Sequence, residues 1–211
     1  RHYAVGRHQI LQSYDDRFRP LVNMVKSGYI KRYEIGNDGS LSVQAIYGPG
    51  DVFPLTLVFK ALFNQNVYEG PEVIYYETIT EAELSSMDVG AIADAVKNNP
   101  LLYKDLLYEA GVRTQSNIQR LENLSLKSSL RRTAHQLIYF ARQFGELRFS
   151  TIRIKVALTH QDIADVLSLT RETVSINLRK LQQRGLIKPG RYIEVVDLAS
   201  LEDEAYGKRL A

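Results

Sequence analysis

We predict an α+β fold for this chain of 211 residues from three features of its sequence. Short alternating stretches separated by turn residues fill residues 1–87, and such strands at regular spacing are typical of a small antiparallel barrel or roll. One long helical pattern follows at residues 101–126, and a basic segment with several short helices comes after it. The expected domains are a β-roll at residues 1–98, a long helix at 99–126, a helical domain at 127–199 and a C-terminal tail at 200–211.

The composition excludes several classes of site. The chain has no cysteine, which excludes disulfides, thiolate zinc sites, cysteine-ligated iron–sulfur clusters and cysteine nucleophiles. No stretch approaches the roughly 18 consecutive apolar residues that a membrane-spanning helix needs. The first residues, Arg1-His2-Tyr3, contain neither an initiator methionine nor a signal pattern, as expected of a fragment or a processed chain. We expect a cytoplasmic protein that does not enter the membrane.

Charge is distributed unevenly along the chain. The overall net charge is +3, but residues 127–193 hold 13 Lys and Arg against 4 Asp and Glu, a net charge of +9. Residues 1–126 and 194–211 each have a net charge of −3. A basic segment in an otherwise acidic chain is expected where a protein meets a polyanion such as nucleic acid. The alternative is a basic surface that only faces water.

The clearest elements of the predicted roll form a β-hairpin. Residues 29–35 and 41–47 each alternate with a period of two. The loop between them, Gly36-Asn-Asp-Gly-Ser40, consists of residues that tolerate a positive φ. The further predicted elements are a turn at Gly48-Pro-Gly-Asp51 and strands at residues 73–79 and 82–87.

The predicted long helix carries a narrow stripe of apolar and small residues. A short helix at residues 88–96 precedes it, and no Gly or Pro cluster interrupts residues 101–126. The stripe repeats at alternating spacings of four and three residues, close to the period of about 3.5 at which two helices pack side by side. We therefore expect a dimer interface here; the alternative is packing on the helix's own domain. The stripe consists of Leu107, Gly111, Thr114, Ile118 and Leu121.

Two helices near the C-terminus carry the clearest functional pattern. Thr159 begins the first, with Asp162 at the spacing of a capping box, and Thr170 is a favourable N-cap for the second, which ends near Gly185. The side chains expected to face inward are Ile163, Ala164, Leu167, Val174, Leu178 and Leu181. The other predicted elements of this domain are a helix at residues 129–144, a hairpin of residues 147–149 and 152–156, and a strand at residues 192–196.

The opposite face of the second helix is polar and carries two charges near its start. An α-helix fits the major groove of DNA, and residues at its N-terminal end reach the base edges. Arg171 can donate two hydrogen bonds to guanine, Glu172 can accept from the cytosine amino group, and Ser175 can donate or accept. Ile176 is a large apolar residue on this face, so it either contacts a thymine methyl group or is simply an exposed side chain.

A second group of side chains is predicted to hold the DNA backbone. Hydroxyl groups and backbone N–H groups at helix starts bind phosphate oxygens, and so do basic side chains. The turn Lys188-Pro-Gly-Arg191 resembles the tip of a wing that lies against the backbone. The expected phosphate contacts are Thr159, Gln161, Thr170, Thr173, Arg179, Lys180, Lys188 and Arg191.

These motifs give the chain a specific family resemblance. Residues 158–187 are similar to the winged helix-turn-helix of the cyclic-AMP receptor protein/fumarate-nitrate regulator (CRP/FNR) superfamily. The run Thr170-Arg-Glu-Thr-Val-Ser175 matches the start of that family's recognition helix, and Gly185-Leu-Ile187 follows in register. The order of a β-roll sensor with Gly48-Pro-Gly-Asp-Val-Phe53, a long dimerisation helix and a DNA-binding domain also resembles this family. The resemblance covers nearly the whole chain.

The resemblance implies a sequence-specific DNA-binding transcription regulator. Members act as homodimers on pseudo-palindromic sites, with one recognition helix in each of two successive major grooves. By matching positions, Arg171, Glu172 and Ser175 would read bases. The family usually has Arg at position 176, where this chain has Ile, so the usual half-sites are not expected here. RNA polymerase is a further implied partner.

The sensor departs from the cyclic-nucleotide-binding members of that family. Those members have a Gly-Glu pair for the ribose and an Arg-Ser/Thr-Ala run for the cyclic phosphate. Here the first position reads Phe53-Pro-Leu-Thr56, residues 66–72 contain no Arg, and none occurs between Arg32 and Arg113. A buried phosphate without a cation is poorly compensated, and we expect Lys60 to be solvated. We therefore predict no response to cyclic AMP; the alternative is an atypical pocket for a cyclic nucleotide or another small ligand.

No cofactor or metal is predicted. The oxygen-sensing branch of the family holds an iron–sulfur cluster through cysteines, which this chain lacks. A haem-binding branch uses Cys or His ligands, but the only histidines before residue 135 are His2 and His8, at a start of the chain that we expect to be mobile. The sensor tyrosines either line a pocket for a small ligand or form the core of the roll. They are Tyr29, Tyr33, Tyr47, Tyr68, Tyr75 and Tyr76.

An enzyme is the competing class of function, and the motifs do not favour it. The sequence has no glycine-rich nucleotide-binding loop, no zinc-protease motif and no nucleophile elbow. Acidic pairs such as Asp15 and Asp16 occur in turn-like stretches without a partner His. A further alternative, a helix-turn-helix that has lost DNA binding, is disfavoured by the adjacent Arg171 and Glu172 in a segment of net charge +9.

Overall fold

The chain forms two compact units, Arg1–Ser116 and Asn117–Ala211, in a computed structural model that describes residues 1–13, 21–64 and 74–207. The boundary falls within one long helix, α3 (Pro100–Ser125). Proline is favoured at the first position of a helix because its missing N–H has no partner there in any case. None of the described helices has the length and apolar character needed to cross a lipid bilayer.

The described part of the first unit contains two antiparallel sheets of four strands each. Its strands are β1 (His2–Val5), β2 (Ile10–Ser13), β3 (Leu21–Ser27), β4 (Ile30–Ile35), β5 (Leu41–Tyr47), β6 (Val52–Phe53), β7 (Tyr75–Thr78) and β8 (Ala82–Asp88). The strand orders are β1-β8-β3-β6 and β2-β7-β4-β5. In β8 every second residue from Ala82 to Ser86 is less exposed than its neighbours, which is the alternation expected when one face of a sheet covers a core.

Turn glycines fix the connections of this unit. Gly39, with φ of 77°, lies in the predicted hairpin loop, and strands β4 and β5 pair from Ile30 with Tyr47 to Ile35 with Leu41. Gly28 has φ of 84°, and a Cβ atom there would lie 2.2 Å from the carbonyl oxygen of Glu81. Only glycine fits at this position, because both the backbone conformation and the close approach exclude a side chain.

The first unit has a helix that the sequence pattern did not predict. Helix α1 (Leu55–Phe63) lies in the stretch expected to contain only strands and turns. Its buried residues Leu57 and Val58 pack with Val22 of β3 and Val89 of helix α2 (Val89–Asn98). A short apolar run does not distinguish a helix from a strand by its periodicity, so tertiary packing decides here.

The core of the first unit is rich in aromatic residues. Tyr47, Phe53 and Tyr76 are buried together, with ring centroids 4.8–6.1 Å apart. These two tyrosines therefore belong to the packed core. The start of the chain is also part of this unit: β1 pairs with β8, with His2 opposite Ser85, so the expectation of a mobile start was wrong for these residues.

The second unit is a helical domain with a small sheet. Its elements after α3 are α4 (Ser129–Phe144), β9 (Gly145–Arg148), β10 (Thr151–Ile154), α5 (His160–Leu167), α6 (Arg171–Gln183), β11 (Ile187–Lys188), β12 (Glu194–Val195) and α7 (Leu198–Tyr206). The strand order is β11-β12-β10-β9. Helix α4 is central, and Ala134, Leu137 and Phe140 are almost completely buried. This architecture confirms the predicted α+β fold with a C-terminal winged helix-turn-helix.

The last helix differs from the expected C-terminal tail. Asp197 caps α7 by accepting a hydrogen bond from the Ser200 N–H at 3.1 Å, and Leu201 and Ala205 are fully buried. The helix packs against α4. Residues 198–206 are thus an integral part of the second unit, because two apolar residues at a spacing of four cover the core.

Candidate nucleic-acid interface

Hydrogen bonds at the helix starts determine where α5 and α6 begin. Thr159 Oγ1 accepts from the Asp162 N–H at 3.1 Å, and Asp162 Oδ2 accepts from the Thr159 N–H at 2.8 Å. This is the capping box that the sequence predicts. Thr170 Oγ1 accepts from the Thr173 N–H at 3.2 Å. Helix α6 therefore begins at Arg171.

The inner faces of α5 and α6 are buried as the sequence pattern predicts. Asn177 of α6 donates to Thr133 Oγ1 of α4 at 3.0 Å, and Arg132 of α4 donates to the carbonyl oxygen of Leu167 at the end of α5. These two hydrogen bonds and the apolar contacts hold both helices on α4. The inward-facing residues, each at most 5% exposed, are Ile163, Ala164, Leu167, Val174, Leu178 and Leu181.

The outer face of α6 presents unpaired charges at its first turn. Arg171 and Glu172 are exposed, and neither makes an ion pair or a side-chain hydrogen bond with another described residue. Ile176, one turn further along, exposes 53% of its surface. Arg179 and Lys180 are exposed beyond it. A packed helix with a free guanidinium and a free carboxylate at its N-terminal end has the groups needed to read base edges.

Ser175 differs from the other predicted base-reading residues because it already has two hydrogen-bonding partners. Its Oγ lies 2.9 Å from the carbonyl oxygen of Arg171, one turn earlier in α6. The same Oγ lies 2.8 Å from Nδ1 of His160, the first residue of α5. Ser175 is half-buried, so part of the residue remains accessible to solvent.

Several of the predicted phosphate-binding groups make hydrogen bonds within their own helices. Thr159 Oγ1 donates to Asp162 Oδ2 at 2.6 Å, and the hydroxyl oxygens of Thr170 and Thr173 lie 2.9 Å apart. Gln161 Nε2 donates to Asp165 Oδ1 at 2.7 Å. These bonds orient the side chains at the two helix starts, where the first backbone N–H groups of each helix have no intrahelical partner.

The last residue of β11 and the turn that follows it carry the remaining cationic candidates. Lys188 and Arg191 are both exposed. Strands β11 and β12 pair Lys188 with Glu194, and Glu194 Oε1 accepts from the Arg153 guanidinium at 2.8 and 3.0 Å. The Arg191 guanidinium carbon lies 5.6 Å from the centroid of the Tyr192 ring. This segment has the form of a wing with a cationic tip.

The predicted stripe on α3 is exposed along its length. Leu107 exposes 74% of its surface and Leu121 exposes 67%. Gly111, Thr114 and Ile118, which lie between them on the helix, are exposed as well. Leucines this exposed at a regular helical spacing are typical of a surface that another helix covers.

The sensor residues that the resemblance singled out are only partly described. Phe53 is buried in the core, while Leu55 and Thr56 form the first turn of α1. Lys60 is exposed, as expected. Tyr68 and the rest of residues 66–72, as well as Asp15 and Asp16, lie outside the described residues. Among the described residues, no group of three or more His, Asp or Glu side chains is arranged to hold a metal ion.

A partly buried charge cluster joins α3 to the turn that precedes β6. The Arg113 guanidinium lies 2.5 Å from Asp51 Oδ1, and its carbon lies 4.6 Å from the centroid of the Tyr47 ring. Asp51 Oδ2 also accepts from the Gly48 N–H at 2.7 Å. Glu109 lies 3.7 Å from the same guanidinium, and burial raises the pKa of its carboxyl. The Arg113 charge is therefore matched within the first unit.

The sequence pattern did not identify His160 or Arg113 as members of these clusters. His160 and Ser175 meet across two helices, and Arg113 meets Asp51 across a much longer stretch of chain. No short-range spacing signals either contact. The only local hint is that His160 directly follows the N-cap Thr159, where the side chain of a first helical residue is exposed.

Comparison with known proteins agrees with these features. Residues 131–204 match the family model described as a Crp-like helix-turn-helix domain. The chain is 28% identical over 183 residues to the "CRP-like cAMP-activated global transcriptional regulator" of Mycobacterium tuberculosis, which covers 86% of this chain and 78% of that protein. It is 27% identical over 188 residues to "Electron transport regulator A" of Shewanella oneidensis, covering 89% of this chain and 72% of that protein.

A solved structure shares the fold over nearly the full length of the chain. FixK2 from Bradyrhizobium japonicum aligns with a TM-score of 0.76 at 20% identity and covers 97% of this chain and 96% of its own. The fold, the capped helices α5 and α6 and these relatives agree with one another. Residues 131–204 form a Crp-like helix-turn-helix domain, and the chain as a whole is similar to transcription regulators of the CRP/FNR superfamily.

Proposed function

We propose that this regulator binds DNA as a homodimer on a pseudo-palindromic site, with one α6 helix in each of two successive major grooves. The observation that carries the proposal is the outer face of α6, where Arg171 and Glu172 are exposed and unpaired among the described residues. The hydrogen-bonded and apolar contacts of α6 with α4 support a helix that enters the groove without refolding.

The proposed contacts fall into two groups. Arg171, Glu172, Ser175 and Ile176 read base edges, because they lie on the outer face near the N-terminal end of α6. The second group binds phosphates and so sets affinity and register rather than sequence. It consists of Thr159, Gln161, Thr170, Thr173, Arg179, Lys180, Lys188 and Arg191.

The proposed dimer forms through the exposed stripe of α3. When the α3 helices of two chains pack against each other, the apolar side chains of Leu107, Ile118 and Leu121 are removed from water. The small residues Gly111 and Thr114 allow the two helices to approach closely. A two-fold dimer carries two α6 helices, which matches the two half-sites of a pseudo-palindrome. We propose RNA polymerase as a further partner and the bacterial cytoplasm as the location. The relatives described as transcriptional regulators support a role that is not enzymatic.

We further propose that cyclic AMP is not the effector and that no cofactor is required. Tyr47, Phe53 and Tyr76 fill the core of the first unit, and the Arg113 guanidinium already has Asp51 as its counter-ion. The second candidate is a regulator that responds to a cyclic nucleotide or another small ligand through an atypical pocket. The observation that favours it is the relative in Mycobacterium tuberculosis, which is described as cAMP-activated.

The test is selection of binding sites from a random-sequence duplex pool by the full chain, repeated at higher salt. We expect one enriched inverted repeat and an affinity that falls steeply with salt, because counterions leave the DNA when cations bind its phosphates. Enrichment of single half-sites without a repeat would contradict the dimer. Absence of any enriched sequence would contradict the proposal as a whole.

A further inference from the structure

The hydroxyl group of Ser175 lies between two partners of different chemistry. The carbonyl oxygen of Arg171, at 2.9 Å, can only accept a hydrogen bond. Nδ1 of His160, at 2.8 Å, donates or accepts according to the tautomer of the ring. Ser175 has a single hydroxyl proton, so it can donate to only one of them. The direction of both hydrogen bonds follows from that choice.

The carbonyl contact decides the position of the proton. Two oxygen atoms 2.9 Å apart are within the range of an O–H···O hydrogen bond. Without a proton between them, their lone pairs would face each other. The Ser175 hydroxyl therefore donates to the Arg171 carbonyl, and His160 Nδ1 must carry a proton and donate to Ser175 Oγ.

We propose that His160 is a positioning residue that makes Ser175 read DNA as a hydrogen-bond acceptor only. A hydroxyl oxygen has two lone pairs, and His160 Nδ1 occupies one of them. The second lone pair is left for the base edge, and the hydroxyl proton is already used. This inference rests on the proposed function, because it applies only if the outer face of α6 enters the major groove.

The class of DNA group that Ser175 selects follows from this assignment. In the major groove, adenine N6 and cytosine N4 are the hydrogen-bond donors, whereas guanine N7 and O6, adenine N7 and thymine O4 are acceptors. A Ser175 that only accepts therefore contacts an exocyclic amino group. His160 Nδ1 holds Ser175 Oγ in the rotamer that donates to the Arg171 carbonyl. Without His160, the Ser175 side chain is able to rotate away from that carbonyl and turn its proton toward a base acceptor.

The experiment measures binding of the full chain to the selected duplex and to versions with single functional groups removed. The position of the site at which Ser175→Ala no longer prefers one base pair over the others identifies the base pair that Ser175 contacts. At that pair, purine replaces adenine, or 2-pyrimidinone replaces cytosine, to delete the amino group alone. A 7-deaza purine at the same pair deletes the N7 acceptor instead.

We expect deletion of the amino group to weaken binding of the wild-type chain by about 3–10-fold, the worth of one hydrogen bond. The same deletion should change binding of Ser175→Ala by less than about twofold. Because the deletion also weakens the base pair itself, the effect on this variant measures that contribution. The 7-deaza substitution should leave wild-type binding unchanged. Sensitivity to the 7-deaza substitution together with insensitivity to loss of the amino group would show that Ser175 donates, and the inference would be wrong.

Variants of His160 test the positioning role. In His160→Ala the amino-group effect should fall below about twofold, while His160→Asn, whose amide N–H can take the place of Nδ1–H, should keep it. The control Gln161→Ala, a neighbouring proposed phosphate contact, should weaken binding of all duplexes alike. A His160→Ala variant with the wild-type amino-group effect, or a His160→Asn variant that loses it, would contradict the inference. Failure of the wild-type chain to enrich any site would instead contradict the proposed function.

Discussion

Arg171 lies at the first position of α6 with its guanidinium exposed. Replacing it with Ala should cost about 1–3 kcal/mol of binding free energy at the selected site and relax the preference at one base position. The measurement is a binding-site selection with the variant, followed by titration of single-base changes. Lys180→Ala, a proposed phosphate contact, is the matched control and should weaken binding without changing the motif. An equal loss on every sequence in Arg171→Ala would assign Arg171 to the backbone.

Ile176 is an exposed apolar residue at a position where the resemblance to the CRP/FNR superfamily implies Arg. If its side chain contacts a thymine methyl group, Ile176→Arg should shift the preferred half-site toward guanine, because Arg donates to guanine O6 and N7. Comparing the motifs selected by the two proteins measures the shift. An unchanged motif would leave Ile176 as an exposed side chain without a role in recognition.

His135 should make stability depend on pH. Its ring is buried within the second unit, 3.2 Å from Asn123 Nδ2, and burial lowers its pKa in the folded state below the ordinary value of about 6.5. The unfolded chain then binds the proton more readily than the folded chain. The contribution of His135 to the free energy of unfolding is therefore fully present above about pH 6.5, and it decreases as the pH falls toward the lowered pKa.

The measurement is the thermal unfolding midpoint of the full chain between about pH 5.5 and 7.5, a range that brackets the ordinary pKa. The midpoint of the wild-type chain should rise with pH relative to that of His135→Gln, which keeps a hydrogen-bonding side chain but does not titrate. His2→Gln, at an exposed position, is the control and should follow the wild type. Parallel curves for the wild type and His135→Gln would contradict the prediction.

At the scale of elements, α3 exposes Leu107 and Leu121, which belong to the stripe that the sequence predicts as a dimer interface. Leu107→Glu combined with Leu121→Glu should convert the proposed dimer to a monomer at micromolar concentration, because two sets of carboxylates would have to enter one apolar seam. Light scattering coupled to size exclusion measures the mass. Gln115→Glu adds a charge at an exposed position off the stripe and should leave the dimer intact. A double variant that still has the mass of a dimer would show that the dimer interface is not the stripe of α3.

Local signals predicted most elements of both units. The capping box at Thr159 and Asp162 and the N-cap Thr170 defined the starts of α5 and α6, and residues 129–144 formed the predicted helix. Caps and turns act within four residues, so they are readable in the sequence. Helix α1 and helix α7 were missed, because short segments take their conformation from the core against which their apolar residues pack.

At the scale of the molecule, the question is whether the first unit binds a cyclic nucleotide. We expect cyclic AMP or cyclic GMP at millimolar concentration to change neither the unfolding temperature nor the affinity for the selected DNA. A ligand that binds only the folded state raises its stability by mass action, so binding would appear as a thermal shift. A clear stabilisation by either nucleotide would favour the alternative, an effector-responsive regulator with an atypical pocket.

The sequence alone determined the order of parts, the concentration of positive charge in residues 127–193 and the positions of Arg171 and Glu172 at the start of a capped helix. These depend on composition and on patterns only a few residues long. The tertiary structure alone decided that Ser175 shares its hydroxyl with His160, that Asp51 neutralises Arg113 and that α7 covers α4. Each of these joins residues distant in the chain, and a hydrogen bond or an apolar contact forms only when folding brings its two partners within a few ångströms.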